Sequence, residues 1–493
     1  MRLSGCAFSD DTVVIFCMRD WKPTPGQREF FSLVTRAAAC NPFSDEFAAL
    51  QARIAGAGGA AERWQRELAA LQAAGVTNYR QASGEDRELL RYVCLYEIYH
   101  RYLPAFDGLI AAQLAAGDKS VPVGFYGKAR ALFERRGFSA EEARRYFAIF
   151  YQIRRAYHFI ETGLVGASAS MRELRRHLWN HVFTHDIRWY EQHLWNRMEE
   201  FSTMLLGPTG SGKGTAAAAI GRSGFIPFDE KAGRFEESFT RTFRAINLSQ
   251  FPETLIESEL FGHKKGAFTG AIADHEGVLA RGRPHGAIFL DEIGDLSIPV
   301  QIKLLQVLQE RTFTPVGSHE PVPFRGRVIA ATNQPLDQLR AAGRFRDDFY
   351  YRLCSDIITV PTLRQRIAED ATELDALVRH VAGRLGVPAL ADAIRARLDR
   401  SYPWPGNVRE LEQAIRRILL TNRYDGDRGA VAPDATSRWL AGVSAGRLDA
   451  DELLAGYCRL LHERHGTIEA VARQTNLDRR TVKAYLAKRV GPA

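Results

Sequence analysis

Apolar residues recur along the chain with spacings that change from one region to the next. In residues 1–160, stretches such as Glu85–Ala115 and Ala140–Thr162 place apolar side chains at helical spacing, with a glycine-rich break near residue 58. No motif with recognisable chemistry stands out there. The pattern predicts a mostly α-helical N-terminal domain.

From about residue 164, short β-rich runs alternate with helical ones. Four such runs are Ser202–Leu206, Ala287–Leu290, Val328–Ala331 and Ile357–Val360. Buried parallel strands have this composition, and α/β domains show this alternation. The pattern predicts an α/β domain with a parallel sheet over residues 164–364.

The rest of the chain is predicted to be helical in two parts. Residues 365–424 have a helical pattern, residues 425–446 are looser and resemble a linker, and residues 447–493 are helical and basic. Neither an internal repeat nor a low-complexity tract is found in the sequence. The expected architecture is therefore multidomain, with a mostly α-helical N-terminal domain, an α/β core and an all-α C-terminal region.

Composition and charge restrict the cellular setting. The chain has 493 residues, 45% of them hydrophobic, and a formal net charge of +8 that permits a polyanionic partner. No apolar run approaches the roughly 18 residues that a membrane-spanning helix needs. The six cysteines form no CxxC pair, so they are expected to be reduced and mostly buried thiols. A cytoplasmic protein without membrane contact is expected.

A glycine-rich segment lies between a predicted strand and a helix-prone run. Residues 207–213 read GPTGSGK, and this order of strand, turn and helix is typical of a phosphate-binding P-loop. A purely structural glycine-rich turn is the alternative. The candidate ATP-binding residues here are Gly207, Pro208, Thr209, Gly210, Ser211, Gly212, Lys213, Gly214 and Thr215.

An apolar strand that ends in two carboxylates follows about 80 residues later. In this strand, Asp291 is expected to hold Mg²⁺, directly or through water, and Glu292 to orient and deprotonate the attacking water. The alternative is that both acids only cap the next helix. With the P-loop upstream, the pair predicts an ATPase site.

The segment from about Gly166 to Tyr424 resembles the AAA+ domain of sigma-54-dependent activators, the bacterial enhancer-binding proteins. The resemblance is carried by ESELFGHKKGAFTGA at residues 257–271, which contains the hexapeptide GAFTGA unbroken. In that family the hexapeptide tips a surface loop that touches sigma-54. The resemblance therefore implies a sigma-54 contact formed by Gly266, Ala267, Phe268, Thr269, Gly270 and Ala271.

The same resemblance implies roles for single residues elsewhere in the domain. Asn247 corresponds to the asparagine that couples the catalytic glutamate to the loop, and Thr332 with Asn333 corresponds to the sensor I pair. Arg346 and Arg352 correspond to arginine fingers that reach a neighbouring subunit's ATP, and a surface ion pair is the alternative for each arginine. The lid over residues 365–424 would contribute Arg409 as sensor II.

The chain departs from the family pattern in three places. Gly214 stands where the family usually has Glu, and Leu248 follows Asn247 where the family usually has Cys. The stretch between the P-loop and Asn247 is longer than usual, and the sequence offers no account of Phe225–Arg241. Gly214 in place of Glu removes a carboxylate near the metal, so it is expected to affect the rate of ATP turnover more than the binding of the nucleotide.

The C-terminal residues have the pattern of a helix-turn-helix. Residues 466–488 fit two short helices, with Asn476 in the turn and Asp478 as the N-cap of the second helix. The segment resembles the Fis-type motif of the same activators, and any basic helical hairpin is the alternative. The candidate DNA-binding residues are Arg479, Arg480, Thr481, Lys483 and Lys488.

Together these features predict an activator that binds upstream double-stranded DNA and uses ATP and Mg²⁺ to remodel sigma-54 RNA polymerase. Because each arginine finger needs a neighbour's ATP, a homo-oligomer is expected, and the family implies a hexameric ring. The helical N-terminal domain is expected to regulate this cycle. Two alternatives stay open: an AAA+ remodeller of another client, and a non-hydrolysing DNA-binding repressor.

Overall fold

The computed structural model describes residues 20–56, 59–399, 401–424, 426, 435–444, 446 and 448–487. The chain divides into two compact units, at Met1–Asn422 and Arg423–Ala493. The described residues include no helix that is both long enough and apolar enough to cross a membrane.

Twenty α-helices longer than three residues, one three-residue α-helix and several short 3₁₀ turns occur in these segments. The α-helices are α1 Pro25–Ala39, α2 Asp45–Ala55, α3 Ala60–Ala73, α4 Gly84–Ala116, α5 Tyr126–Arg135, α6 Ala140–Gly163, α7 Ala169–Phe183, α8 Ile187–Trp189, α9 Lys213–Gly221, α10 Glu253–Phe261, α11 Ile298–Glu310, α12 Leu336–Ala341, α13 Asp347–Leu353, α14 Leu363–Glu369, α15 Glu373–Arg384, α16 Ala391–Arg395, α17 Asn407–Thr421, α18 Ala435–Ser444, α19 Ala450–His465, α20 Ile468–Thr475 and α21 Arg479–Ala487. A short π-helical segment at Tyr190–Leu194 follows α8.

The nine strands found in the described residues form one five-stranded sheet and two small hairpins. They are β1 Thr203–Leu206, β2 Phe228–Asp229, β3 Arg234–Phe235, β4 Phe243–Asn247, β5 Ala287–Asp291, β6 Thr312–Phe313, β7 Val322–Pro323, β8 Arg327–Thr332 and β9 Asp356–Thr359. The main sheet is parallel with the order β4-β5-β8-β1-β9. This order brings the carboxyl ends of β1, β5 and β8 together at one edge, where ligands bind in open α/β sheets.

The helical N-terminal region and the parallel α/β core confirm the predicted fold class at that level. All four predicted strands are present, and each observed strand begins or ends within one residue of its predicted bounds. The sequence reading missed edge strand β4, Phe243–Asn247, in which Arg244 and Ala245 are exposed. An edge strand with exposed side chains lacks the apolar run that marks its buried neighbours. The predicted domain boundaries stay predictions.

Helix α6 belongs to two hydrophobic cores at once. Its first half, with Phe147 and Phe150, packs in the core of the N-terminal helices. Its second half, with Ala156 and Ile160, packs against α9 and the sheet. The N-terminal helices and the α/β core are therefore joined by a shared helix, within the first compact unit.

The unexplained stretch Phe225–Arg241 folds back onto the N-terminal helices. It contains the antiparallel pair β2 and β3, whose Phe228 and Phe235 are buried in the N-terminal core together with Ile226 and Phe239. The ring of Phe235 stacks on Tyr151 of α6 at 4.2 Å between ring centroids. This insertion ties the helical region to the residues that follow the P-loop helix.

The second unit contains α18 to α21. Helix α18 lies within residues 425–446, for which the sequence pattern predicts a linker, and the indole of its Trp439 lies against Gly456 of α19. Helices α19, α20 and α21 share a small core of Cys458, Leu461, Val471 and Val482. The C-terminal region is thus helical, as predicted.

The cysteines in the described part of the chain are free thiols. Cys94 and Cys458 are buried, and Cys40 and Cys354 are half-buried. Cys6 and Cys17 lie outside the described residues.

Candidate active site

The glycine-rich turn between β1 and α9 has a backbone that depends on its glycines. Gly210 and Gly212 have φ angles of 77° and 110°, which side-chain-bearing residues rarely adopt. A Cβ at Gly210 would come within 2.3 Å of the Gly406 carbonyl oxygen, and one at Gly207 within 2.8 Å of the Val360 carbonyl oxygen. The turn is therefore held tightly between neighbouring backbones.

Two side chains of this turn fit a phosphate group. The Lys213 ammonium lies beside the turn and donates hydrogen bonds to the carbonyl oxygens of Gly207, at 2.9 Å, and Pro208, at 3.4 Å. The buried hydroxyl of Ser211 has no hydrogen-bond partner among the described residues. Phosphate oxygens would accept from this hydroxyl and from Lys213, and α9 begins at this point with the positive end of its dipole.

The two carboxylates lie at the carboxyl end of β5, an interior strand of the sheet. Asp291 accepts a hydrogen bond from the Glu292 backbone N–H at 3.1 Å. Glu292 itself has a φ of 57° and receives the Asn333 N–H at 3.3 Å. Burial raises the pKa of the Glu292 carboxyl, although the Asn333 N–H and the Lys213 ammonium oppose the shift. A raised pKa brings this carboxylate closer to the range in which general bases work.

The residues predicted as sensor I lie at the carboxyl end of β8, next to this pair. The Asn333 side chain donates to the Thr209 hydroxyl at 2.8 Å, which links β8 to the P-loop. Thr332 is fully buried, and its hydroxyl accepts from the Gln334 N–H at 3.0 Å. Asn333 thus lies at the nucleotide side, and Thr332 supports the backbone behind it.

Asn247 is brought close to the carboxylates by the pairing of β4 with β5. In this register Asn247 lies opposite Asp291. Its side-chain oxygen accepts from the Ser249 backbone N–H at 3.0 Å and from the Ser249 hydroxyl at 2.7 Å. The structure therefore places Asn247 at the edge of the site, and its coupling to Glu292 stays a prediction.

The helical region after Thr359 covers the P-loop through the start of α17. The Asn407 side chain donates to the Thr209 carbonyl oxygen at 3.1 Å, and the Val408 N–H donates to the Gly210 carbonyl oxygen at 3.0 Å. The next residue, Arg409, is exposed and its Cβ lies beside Gly210. Asn407 was not predicted as a site residue, although it lies in the PGNVRE segment two residues before the predicted sensor II residue Arg409.

A buried ion pair fixes the start of this helical region. Arg366 of α14 binds Glu373 of α15, and both side chains are almost fully buried. Glu373 also accepts from the Ser168 N–H at 2.6 Å, and Arg366 donates to the Val165 carbonyl oxygen at 2.5 Å. These contacts attach α14 and α15 to the segment that joins α6 to α7.

The two predicted arginine fingers lie at the ends of α13. Arg346 makes a two-pronged ion pair with Asp348, at 3.0 Å and 2.6 Å. Arg352 donates to the Leu308 carbonyl oxygen at 2.8 Å. Arg352 also forms an ion pair with Glu200 at 3.9 Å. Both arginines thus make within one chain the surface ion pair that was the alternative, and the role of each toward a neighbouring chain stays a prediction.

The hexapeptide GAFTGA forms an exposed turn after α10. Gly266 and Gly270 have φ angles of 82° and 101°, and the Gly266 N–H donates to the Ala271 carbonyl oxygen at 2.8 Å. Between them, Phe268 is 38% exposed and its ring lies edge-on to His263 at 4.9 Å. Thr269 is exposed. The Phe is therefore available at the surface, and the alternative of a ring tucked into the core is not what the structure shows.

The C-terminal helices present a basic face. Arg479, Arg480, Thr481 and Lys483 are exposed on α21, and Lys488 lies outside the described residues. Asn476 has a φ of 55°, and Asp478 accepts from the Arg480 N–H at 2.8 Å, as expected for a turn and a helix start. Arg479 forms an ion pair with Glu469 at 3.4 Å.

Part of this chain matches a known protein family. Residues 188–359 match the family described as the sigma-54 interaction domain. The hydrogenase transcriptional regulatory protein HoxA of Cupriavidus necator is 43% identical over 223 residues, which cover 45% of this chain and 43% of HoxA. The sigma-54-dependent transcriptional activator SfnR of Pseudomonas putida is 41% identical over 223 residues, which cover 45% of this chain and 57% of SfnR.

A third relative and a solved structure complete the comparison. The DNA-binding transcriptional regulator NtrC of Rhizobium meliloti is 38% identical over 266 residues, which cover 53% of this chain and 48% of NtrC. The chain thus spans about half the length of these curated relatives. The crystal structure of NtrX from Brucella abortus in complex with ADP is similar over 73% of this chain and 80% of the NtrX chain, at 22% identity and a TM-score of 0.41.

Proposed function

We propose that this chain is a sigma-54-dependent transcription activator, because residues 188–359 match the sigma-54 interaction domain family. In this proposal, ATP hydrolysis drives remodelling of sigma-54 RNA polymerase. The observation that carries it is the unbroken GAFTGA turn, which exposes Phe268 and Thr269 on the same domain as the P-loop and the carboxylate pair. An exposed aromatic side chain flanked by glycines is suited to anchor a protein contact.

The residues of the site have separate tasks in this ATPase. The P-loop from Gly207 to Thr215 would bind the phosphates of ATP, and Asp291 would hold Mg²⁺, which supplies charge neutralisation when it is bound. Glu292 takes the proton of the attacking water, because it is the partly buried carboxylate of the pair with the raised pKa. Asn333 lies between Glu292 and Thr209 and would report the state of the terminal phosphate.

The remaining parts are proposed to supply assembly and DNA binding. Residues 365–424 act as the lid, with Arg409 beside the P-loop turn. Arg346 and Arg352 act toward the ATP of the neighbouring chain in a ring, which the family resemblance implies is hexameric. Helices α20 and α21 form a helix-turn-helix whose basic residues read double-stranded DNA upstream of the promoter.

The ATPase is tested with Glu292→Gln, which preserves size and removes the base. We expect turnover to fall at least 100-fold, the usual contribution of a positioned general base, while binding of a fluorescent ATP analogue is retained. Equal and negligible turnover in both the unchanged protein and the variant would instead support the non-hydrolysing repressor.

The partner is tested by capture of sigma-54 in the presence of ATP and a transition-state analogue. We expect the unchanged protein to retain sigma-54 and Thr269→Ala to lose it. Thr254→Ala is the matched control, because Thr254 is exposed on the preceding helix α10 and outside the turn. If Thr269→Ala captures sigma-54 as well as Thr254→Ala does, the turn is not the contact and a remodeller of another client is favoured.

A further inference from the structure

A cavity of about 310 Å³ lies where the N-terminal helices meet the α/β core. Helices α1, α2, α4 and α6 form most of its wall, and α7, α8 and the π-helical segment close it from the side of the core. Its volume is at the lower end of the roughly 300–1,000 Å³ that ligand sites span. A molecule of one or two rings therefore fits the space.

The wall of this cavity is dominated by aromatic rings. Tyr92, Tyr146, Phe150 and Trp179 are buried, and Tyr96 is half-buried. Aromatic rings favour other rings in stacked or edge-on arrangements, which an aliphatic chain does not reproduce. The lining thus selects for an aromatic occupant.

The charged groups at the wall define the polarity of the occupant. The Arg154 guanidinium is held by the Asp107 carboxylate through bonds of 2.5 Å and 2.9 Å, so its charge is already neutralised. The Glu191 side chain is only 8% exposed. Its Oε1 contacts Tyr146, Tyr92 and Arg91, at 3.0, 3.4 and 3.3 Å. All three contacts are to Oε1, and Glu191 itself lines the cavity.

From these observations we propose that the cavity binds a neutral aromatic molecule of one or two rings that donates one O–H or N–H group to Glu191. An anionic aromatic is not expected to bind, because the arginines at this wall are already paired, Arg154 with Asp107 and Arg91 with Glu191. Phenols and indoles have this chemistry.

The cavity is joined to the nucleotide site through α6. Ile153 and Arg154 line the cavity, and their neighbours in sequence hold the end of the P-loop helix α9. The Gln152 side chain donates to the Ser223 carbonyl oxygen at 2.9 Å, and the fully buried Arg155 donates to the carbonyl oxygens of Arg222 and Gly224, at 3.1 Å and 2.6 Å.

A ligand bound in the cavity is therefore expected to change the rate of ATP turnover. A ring that wedges against Ile153 displaces the turn of α6 that also carries Gln152 and Arg155, and these two residues fix the residues after α9. This regulatory part rests on the proposed ATPase, whereas binding itself does not.

Binding is tested by calorimetric titration of the full chain with phenol, indole and 2-naphthol, and with benzoate as the anionic comparison. We expect at least one of the three neutral compounds to bind one per chain with a Kd below about 1 mM, and benzoate not to bind. Leu103→Trp, which fills the cavity, is expected to abolish binding, and Leu114→Trp, exposed on the same helix α4, to retain it.

Three results would overturn the binding site: no saturable binding by any of the neutral compounds, benzoate binding as well as they do, or undiminished binding to Leu103→Trp. If the Trp variant does not fold, Leu103→Phe replaces it and is expected to weaken binding at least tenfold. Glu191→Gln is expected to weaken binding by a similar factor.

Regulation is then read from ATP turnover at saturating ligand. A change of at least twofold, with the same concentration dependence as binding and absent in Leu103→Trp, supports the link through α6. Unchanged turnover with binding intact overturns the link. Absence of turnover with and without ligand, while binding persists, would refute the proposed ATPase and leave the binding site standing.

Discussion

At the residue scale, Glu292 combines an uncommon backbone with a raised carboxyl pKa. Its φ of 57° lies in the left-handed region, which costs a non-glycine residue roughly 1 kcal/mol or more. Such strain persists where neighbouring contacts hold it, and here β5 and the Asn333 N–H do so. The strained residue is the one that the sequence predicted as the catalytic base.

Gly214 is the residue that departs from the family pattern, and the structure indicates that a larger residue fits there. A Cβ at this position would lie 3.9 Å from Phe289, an ordinary contact, and the backbone is helical. We expect Gly214→Ala to raise the free energy of unfolding by up to ~1 kcal/mol through helix propensity. Gly212→Ala, at a φ of 110°, is expected to lower it, and thermal unfolding of both variants measures the contrast.

The buried His181 is expected to make the folded protein less stable at mildly acidic pH. Burial, with a smaller contribution from Arg327, lowers the pKa of this imidazole to about 4, so the folded protein keeps it neutral. Between pH 6.5 and 4 the unfolded chain binds the extra proton, and stability therefore falls as the pH falls through this window. The expected loss from this residue between pH 7 and 5 is about 2 kcal/mol.

Denaturant unfolding at pH 7 and pH 5 measures this loss. We expect His181→Asn to be less stable at pH 7 but to lose less stability on acidification than the unchanged protein. His177→Asn, at a half-buried position one turn earlier in α7, is the control and is expected to keep the pH dependence that His181 causes. Equal pH dependence in all three proteins would show that His181 is not the source.

At the scale of elements, the hairpin of β2 and β3 and the helix α6 decide how the N-terminal helices are attached. The hairpin is an excursion of the chain between α9 and β4, yet its aromatic residues are buried among the N-terminal helices. Helix α6 leaves the same helices and packs on α9. Helix α6 thus packs against the P-loop helix α9. The segment that follows α9 is anchored among the N-terminal helices by its hairpin.

Removal of one hairpin aromatic tests this attachment. Phe235 is buried and stacks on Tyr151 and Phe147, so Phe235→Ala is expected to lower the free energy of unfolding by roughly 3–5 kcal/mol. Leu420→Ala, at a largely exposed position of α17, is expected to change it by less than about 0.5 kcal/mol. A small effect of Phe235→Ala would mean that the hairpin does not dock on the N-terminal helices in solution.

At the scale of the whole molecule, the proposed ATPase needs residues from two chains. Arg346 and Arg352 are proposed to act on a neighbour, whereas Glu292 acts within its own chain. Turnover per chain is therefore expected to rise with protein concentration until the ring is full. Dilution that leaves turnover per chain unchanged would contradict a shared site.

Mixing two inactive variants gives a sharper test of the shared site. Glu292→Gln keeps its arginines and Arg346→Ala keeps its base, so each lacks what the other supplies. We expect both to be inactive alone and their mixture to recover measurable ATP turnover, because some interfaces then combine an intact base with an intact arginine. A mixture of Glu292→Gln with Asp291→Asn, which are defective in the same half of the site, is the control and is expected to stay inactive.

The sequence by itself determined those parts of the protein that depend on local backbone chemistry. The P-loop glycines, the acidic end of β5 and the GAFTGA turn each work within a few consecutive residues, so the pattern of residue types is enough to identify them. The buried strands β1, β5 and β8 were predicted for the same reason, since a continuous apolar run signals burial on both faces.

Only the tertiary structure decided which distant surfaces meet. The contact of Asn407 with the P-loop, the docking of Phe228 and Phe235 on the N-terminal helices and the aromatic cavity all join residues from well-separated parts of the sequence. Apolar packing is non-directional, so an aromatic residue in the sequence indicates that it will be buried but not against which partner. That choice depends on the topology that brings the faces together.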